Sequence, residues 1–578
     1  EIELEDGRAL RVRPKDVVVL HPGPVTGLRE LGAPAGEVEA ACELLEGGQT
    51  TLPELAELIY GGYTPATAWA AWRLVDEGLY FRGAPDAIEA RPLAEVARER
   101  AARDAKQAER ESWTGFLHRA RAGRCAPEDD PYLREIEEVA WGQREQSRVM
   151  QALDCDQSPQ SAHALLLRLG RWDGTVNPWP RRLGAALVAP VAALPGLPDE
   201  SRLDLTGLPA YAIDDEGNLD PDDAIGLDGD RLWVHVADVA ALVAPDSLAD
   251  MEARARGATL YLPEIVSPML PDEATARLGL GMAEVSPALS FGLHLDGDGA
   301  VTDVEIAPSW VRVERLSYEE VDARLDARPF RDLHELAQRH QARRRANGAV
   351  FIDLPEVKMR VTAGRVEIRP LPRSRSRLLV SEAMVMAGEA AARFALKRGL
   401  PFPFTTQDPA NAADRAPAGL AGMYALRRAL RPRQYSGQPG AHGGLGLEVY
   451  AQVTSPLRRY LDLVAHQQLR ACLRGGDPLD AQAIIGRIGA AEAAAQGIRR
   501  TERLSREHWT LVYLQQRPGW RGEGVLVEKR SPRSVVLVPE LALETRVKVA
   551  DTIAPDSALP LRLTGVELPA REVYFRVG

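Results

Sequence analysis

The segment "AIDDEGNLDPDDAIGL", Ala212 to Leu227, carries six carboxylates in sixteen residues and no basic side chain. It lies between the apolar "LTGLPAY" and the strand-like "RLWVHVADVAALV". Two like charges ~4 Å apart repel by about 4 kcal/mol at an effective dielectric near 20, so acids gathered here need solvent or a cation. On a strand Asp222 and Asp223 would face opposite sides, and Pro221 disfavours a helix. The segment is therefore expected to be a loop between two strands, wrapping Asp214, Asp220, Asp222 and Asp223 around a common centre. Hard oxygen ligands of this kind suit Mg²⁺ or Mn²⁺. A calcium EF-hand loop fails on spacing: counted from Asn218, the sixth position is Asp223 where glycine is needed, and the twelfth is Gly229, not glutamate. A solvated acidic turn is the bland competitor. The "DGDG" at Asp296–Gly299, between "FGLHL" and "VTDVEI", is most simply a hairpin turn.

At 578 residues the chain exceeds a single core, since cores stop growing near about 250–300 residues. No stretch resembles a membrane span: "LGAALVAPVAALPGLP" is sixteen residues and broken by prolines, against about 20 apolar residues for a bilayer. Cys42, Cys125, Cys155 and Cys472 lie far apart with no CxxC pair, which fits neither a disulfide framework nor a zinc site and suggests a reducing cytoplasm. The net charge of −12 does not exclude a nucleic-acid partner, because acids can be central to a site whose cations line a channel.

The pattern divides the chain into four parts, giving a multidomain α+β protein. Residues 1–85 read as a winged helix-turn-helix: three short helical patterns ending in "GLYFRG", with Thr64 as N-cap and Pro65 at the first helical position. The helix from Pro65 offers chiefly Arg73 to solvent, and Trp69 and Trp72 look like packing, so sequence-specific reading of duplex DNA is not expected. Residues 86–195 form a helical connector region. Residues 196–512 form a large α/β domain. Residues 515–578 have the strand rhythm of a five-stranded OB barrel, with Lys529, Arg530 and Arg533 at its first turn.

An acidic cage becomes a phosphodiesterase site when a cation meets the phosphate and a ring holds the base. In "TSPLRRYLDLVAHQQLRA", Ser and Pro open a helix with Arg458 and Arg459 in its first turns, a placement that favours anion binding over helix stability. Tyr261, in the proline-rich "RGATLYLPEIVSPMLP", is a candidate stacking platform. His235 and His466 sit in apolar patterns and read as core residues. No Ser/His/Asp arrangement stands out, and GxxxxGK[ST] is absent.

In this order, "IDDEGNLDPDDAIGL…LWVHVADVAALV", "RGATLYLPEIVSPMLP", "RLSYEEV" and "YAQVTSPLRRYLDLVAHQQL" closely resemble the catalytic domain of the ribonuclease II / ribonuclease R family of 3′-to-5′ exoribonucleases. The resemblance covers residues 200–510 and implies a C-terminal OB barrel. It also implies that Asp214, Asp220, Asp222 and Asp223 bind magnesium, with Asp222 and Arg458 catalytic and Arg458 against the scissile phosphate. Tyr261 would stack on the 3′-terminal base, with Phe351 as the other half of an aromatic clamp. Tyr318, Glu382 and Arg459 would contact RNA, Tyr318 at the ribose end. Where the family often has two consecutive glutamates, this chain has Ser381-Glu382. The N-terminal region looks helical where well-known members begin with cold-shock barrels, and no Lys-rich tail follows the barrel, which favours ribonuclease II. The implied partner is single-stranded RNA rather than a membrane, with a monomeric, cytoplasmic enzyme. Two other classes stand beside this reading: a non-catalytic RNA-binding protein and a DNA-binding regulator.

Overall fold

The computed structural model describes residues 2–4, 7–25, 27–32, 34–409 and 419–578. The chain forms two compact units, Glu1–Asp129 and Asp130–Gly578. In the first, helices Val38–Leu44, Leu52–Tyr60 and Pro65–Glu77 accompany a three-stranded sheet in the order Gln49–Thr50, Ala87–Ala90, Phe81–Ala84. This is a winged arrangement, one strand of which, Ala87–Ala90, lies beyond the boundary expected at residue 85. Thr64 caps the third helix by accepting from the Thr67 N–H at 3.3 Å, and Trp72 packs against the small core. The following helix, Leu93–Arg121, buries only Val96, Phe116 and Ala120 among its described residues, as a solvated connector would.

The second unit is built on a seven-stranded mixed sheet. In chain order its strands are β1 (Leu203–Asp204), β2 (Ala210–Asp214), β3 (Asp223–Asp228) and β4 (Arg231–Ala237). After α1 (Leu248–Arg256) and the short ribbon β5 (Leu260–Tyr261) and β6 (Val266–Ser267), the sheet continues with β7 (Ser286–Leu295), β8 (Val301–Val311) and β9 (Val313–Ser317). The spatial order is β9-β2-β3-β4-β7-β8-β1, antiparallel except for the edge pairs β9/β2 and β8/β1. Both faces are covered, which explains the near-continuous apolar runs of its central strands. Ile213, Ile225, Val234 and Phe291 join the main core on one face, and Ala212, Ala224, Trp233 and Ala288 a smaller core on the other. The Asp296–Gly299 turn closes the β7/β8 hairpin, Gly299 taking φ +82° and the Asp296 N–H donating to Ala300 O at 3.0 Å.

Helices α2 (Phe330–Ala346) and α3 (Arg375–Lys397) flank a second ribbon, β10 (Val357–Thr362) with β11 (Arg365–Pro370). The alanine-rich α3 contributes Leu379, Ala383, Met386, Ala387 and Ala390 to the main core. Its small residues let it lie close to the 450s: a Cβ on Gly388 would meet Ala451 O at 2.4 Å. Helices α4 (Tyr460–Leu473) and α5 (Ala481–Gln515) follow. The chain ends in a five-stranded antiparallel sheet over Arg521–Val577, with Lys529, Arg530 and Arg533 in its first turn. Among the described residues no helix is long and apolar enough to cross a membrane.

Candidate active site

Strands β2 and β3 pair antiparallel only at Ala210–Gly226 and Tyr211–Ile225, so the chain between Asp214 and Asp223 leaves the ladder as a loop. The C-terminal end of that loop is held from outside: Ala237 N–H donates to Asp222 O at 2.8 Å and Leu280 N–H to Pro221 O at 2.9 Å. The loop lines a cavity of about 810 Å³ with Asp214, Asp220 and Asp223, which also receives Tyr261, Tyr318 and Arg458.

The opposite wall comes from three distant segments, two of them joined by backbone. Ala258 pairs with Arg459 in an isolated antiparallel bridge. Thr259 N–H donates to Arg458 O, and Tyr460 N–H to Gly257 O, each at 3.0 Å. Gly257 closes α1 at φ +74°, where an added Cβ would lie 2.6 Å from the Ala494 methyl. The Tyr261 N–H donates to Glu502 Oε1 at 3.0 Å, and its hydroxyl donates to Asp220.

Arg458 and Arg459 do not lie in the first turns of a helix: α4 begins at Tyr460 and Arg459 occupies the N-cap position in extended conformation. The cause is side-chain competition for the backbone. Asp222 Oδ1 accepts the Leu457 N–H at 2.8 Å, and Asp462 accepts the Ser455 N–H at 2.9 Å. Asp222 Oδ2 then accepts from Arg458 Nε at 3.0 Å. Both oxygens of this buried carboxylate are therefore spent on aiming the arginine segment. Arg459 turns away from the cavity into an ion pair with Asp462 at 2.6 Å.

Burial dominates the titration of the acids. It pushes Asp222 up to about 8 against the pull of Arg458 and the Leu457 N–H. It pushes Asp223 up to about 7, with the Asp214 charge adding to it, and raises Asp214 as well. Burial, then the Asp220 charge, keeps Tyr261 protonated as a donor. The donor set is all carboxylate oxygen, which fits a hard divalent cation. Among the described residues no three such groups already converge tightly enough to grip one, because Asp222 and Asp220 are engaged by Arg458 and Tyr261.

Four residues expected at the site lie outside the cavity lining: Asp222 and Arg459, placed as above, and Phe351 and Glu382. Phe351 is half-buried beneath the guanidinium groups of Arg344 and Arg345, whose Cζ atoms lie 5.2 and 4.7 Å from its ring centre. Glu382 is 1% exposed and accepts from Arg344 Nε at 3.0 Å, with His340 Nδ1 at 2.7 Å. Its neighbour Ser381 is the exposed one of the pair. His235 bonds Ser290 Oγ at 2.7 Å and His466 bonds Val453 O at 2.6 Å, both as core residues. Lys358, Arg377, Glu502 and Arg506 line the cavity without having been singled out in the sequence. Arg377 lies 4.2 Å from the Tyr318 ring centre and pairs with Asp215. The spacing of Glu502 and Arg506, one turn apart on α5, was the available signal.

Carboxylates, an aimed arginine and two tyrosine rings around one cavity, in a chain that ends in an OB-like sheet, fit a phosphodiesterase for nucleic acid. The comparisons agree. The RNB domain matches residues 202–418 and 412–475, a double HTH domain residues 95–178, and an RNase II-type exonuclease C-terminal S1 domain residues 520–578. The double HTH match falls on the helical stretch between the winged arrangement and the sheet. An uncharacterized ribonuclease of Synechocystis is 32% identical over 99% of this chain and 94% of its own length. The chloroplastic/mitochondrial ribonuclease II of Arabidopsis thaliana is 28% identical over 82% of this chain and 67% of its own. An active-site mutant of the Dss1 exoribonuclease from Candida glabrata has a similar fold, with TM-score 0.68 at 18% identity over 89% of this chain and 78% of that one. The chain belongs to the RNB-domain ribonuclease II/R family, 3′-to-5′ exoribonucleases that act on single-stranded RNA.

Proposed function

We propose that this chain shortens single-stranded RNA from its 3′ end by Mg²⁺-assisted hydrolysis in the cavity, releasing nucleoside 5′-monophosphates. The observation that carries the reading is the convergence of Asp214, Asp220, Asp223 and Arg458 on one cavity that also holds the rings of Tyr261 and Tyr318. The carboxylates of Asp214, Asp220 and Asp223 would hold the cation, with Asp222 adding its charge from behind. When bound, the metal supplies Lewis-acid stabilisation of the phosphate and an activated water. Arg458 presents its free guanidinium edge to the scissile phosphate while Asp222 fixes its other edge. The Tyr261 ring is placed to stack on the terminal base, and the pairing of its hydroxyl with Asp220 sets its angle. Tyr318, held under Arg377, faces the sugar end.

The acidic set and Arg458 are intact, which favours an active enzyme over an RNA-binding protein with a disabled site. Manganese would serve in place of magnesium, since both take oxygen ligands. We further propose that the protein works as a single chain in the cytoplasm and does not use duplex DNA. A timed digest of 5′-labelled single-stranded RNA with Mg²⁺ should give a ladder shortening from the 3′ end, abolished by EDTA. Internal cuts, or digestion indifferent to EDTA, would refute the proposal.

A further inference from the structure

The ribbon β10/β11 has a face that the hydrolytic site does not account for. Burial alternates along it from Val357 to Thr362 and from Arg365 to Arg369. Val357, Met359, Val361, Val366 and Ile368 turn inward, the last four packing against Trp509, Val512 and Leu568. Lys358, Arg360, Arg365, Glu367 and Arg369 are all exposed. The side-chain period of two puts these five residues on one face, with four cations against one acid, a net charge of +3. The whole chain carries −12.

The register brings Lys358 directly opposite Arg369, and Arg360 opposite Glu367. Like charges directly opposite one another destabilise a strand pair. Lys358 donates to the Glu216 carbonyl at 3.0 Å, and Arg369 pairs with Glu367 at 3.3 Å. Among the described residues, no hydrogen bond or ion pair engages Arg360 or Arg365. Basic side chains on an exposed ribbon can also serve only to block strand addition at its edge. Position argues otherwise. Lys358 lines the cavity at one end of the ribbon, and the charged face runs from there for about 13 Å at roughly 3.3 Å per residue. The ribbon is fastened near its turn: Val361 N–H donates to Pro263 O at 2.9 Å, beside the Tyr261 strand, and Gln516 Nε2 donates to Gly364 O at 2.7 Å at the tip.

We infer that the exposed face of this ribbon is a phosphate-binding track for the stretch of single-stranded RNA immediately 5′ of the nucleotide in the cavity. The inference rests on the cavity being the hydrolytic site, and it assigns Arg360, Arg365 and Arg369 to the backbone of the following nucleotides. A rigid ribbon charged on one face and anchored on the other would hold a moving strand without reading its sequence.

The test compares a long single-stranded RNA with an oligonucleotide short enough to fill only the cavity, using equilibrium binding in EDTA over a range of salt. Removing Arg360, Arg365 and Arg369 together by substitution with alanine should weaken binding of the long RNA. It should also make the slope of log affinity against log salt shallower by about 2, at about 0.7 per lost phosphate contact. Binding of the short oligonucleotide, and its hydrolysis once Mg²⁺ is added, should not change. Glu367→Gln, which removes the acid from the same face, should act in the opposite direction and tighten the long RNA. It reads the face even if the triple variant folds poorly. An unchanged long-RNA slope in the triple variant with no gain in Glu367→Gln would overturn the track, as would equal losses on both substrates. Failure of the wild-type protein to cut the short oligonucleotide would instead count against the hydrolytic reading, since the binding measurements need no cleavage.

Discussion

Asp222→Asn separates cutting from binding, and the structure sets the size of the effect. The carboxylate is 2% exposed, with one oxygen on the Leu457 N–H at 2.8 Å and the other on Arg458 Nε at 3.0 Å. Asparagine keeps the first bond through its carbonyl oxygen but turns an N–H toward Arg458, donor against donor. The lost charge-assisted bond is worth about 1.5–3 kcal/mol. Breaking a fully buried pair costs about 3–5 kcal/mol, and Arg458 is 38% exposed, so the lower end of both ranges applies. Relief of the buried charge beside Asp220 and Asp223 offsets part of that loss, which leaves the fold nearly as stable. Catalysis gains no such relief. An arginine no longer aimed at the phosphate is comparable to losing one preorganised transition-state donor, about a hundred- to thousand-fold in rate. RNA affinity, carried by stacking and by phosphate contacts elsewhere, should hold or rise slightly as negative charge leaves the site. Single-turnover cleavage and equilibrium binding of the same RNA, at fixed salt and Mg²⁺ and above pH 8, where Asp222 is ionised, read the two effects separately. Cleavage within tenfold of wild type, or a parallel fall in cleavage, binding and melting temperature, would refute the reasoning.

Tyr261→Ala should weaken short oligonucleotides by about 1–3 kcal/mol of stacking while long RNA is still cut, so the limit product lengthens; gel analysis of the end products checks this. Burial holds Asp223 up at about 7 and Asp222 up at about 8, against an ordinary 3.8. In EDTA the folded protein therefore keeps protons that the unfolded chain has already lost. That stabilisation is complete below about pH 4 and is lost as pH rises through the folded values. The melting temperature in EDTA should accordingly fall toward pH 8, more steeply than in Asp223→Asn, and Mg²⁺ should restore it. Glu382→Gln breaks the buried pair with Arg344 and should lower stability by about 3–5 kcal/mol while leaving kcat nearly unchanged in the cold; thermal melts beside initial rates distinguish this from direct substrate contact.

The parts of the site that were legible in the sequence are those with local signatures. Pro221 and the density of acids between Asp214 and Asp223 forced a loop between strands, and the structure has one. The turn at Asp296–Gly299 and the C-terminal five-stranded sheet follow from turn residues and alternation. What was not legible locally was decided by partners far along the chain. The helix signal at Ser455-Pro456 was sound by local rules, but Asp222 takes the Leu457 N–H across 235 positions and delays the helix to Tyr460. Glu382 looks like a substrate ligand until Arg344 and His340, on another helix, enclose it. Phe351 is in the same position, covered by two arginines of α2 that no local pattern assigns to it.

On the proposed function, that same long-range bonding would let the site measure a single nucleotide. The segment carrying Tyr261 and the segment carrying Arg458 are joined by backbone: the Ala258–Arg459 bridge, Thr259 N–H to Arg458 O, and Tyr460 N–H to Gly257 O. The offset between a ring that would receive the last base and a guanidinium that would receive the phosphate is therefore fixed by main-chain ladder geometry rather than by the rotamers of two independent loops. The acidic loop is tied to the same assembly twice, through Asp222 to Arg458 and through Asp220 to the Tyr261 hydroxyl. A reaction that depends on placing one phosphate between the carboxylates and the arginine gains most from a frame that cannot flex between them, because small errors in position cost large factors in rate. Gly257 is the joint of that frame: at φ +74°, with the Ala494 methyl 2.6 Å from where a Cβ would stand, the turn that brings the two segments into register tolerates no side chain.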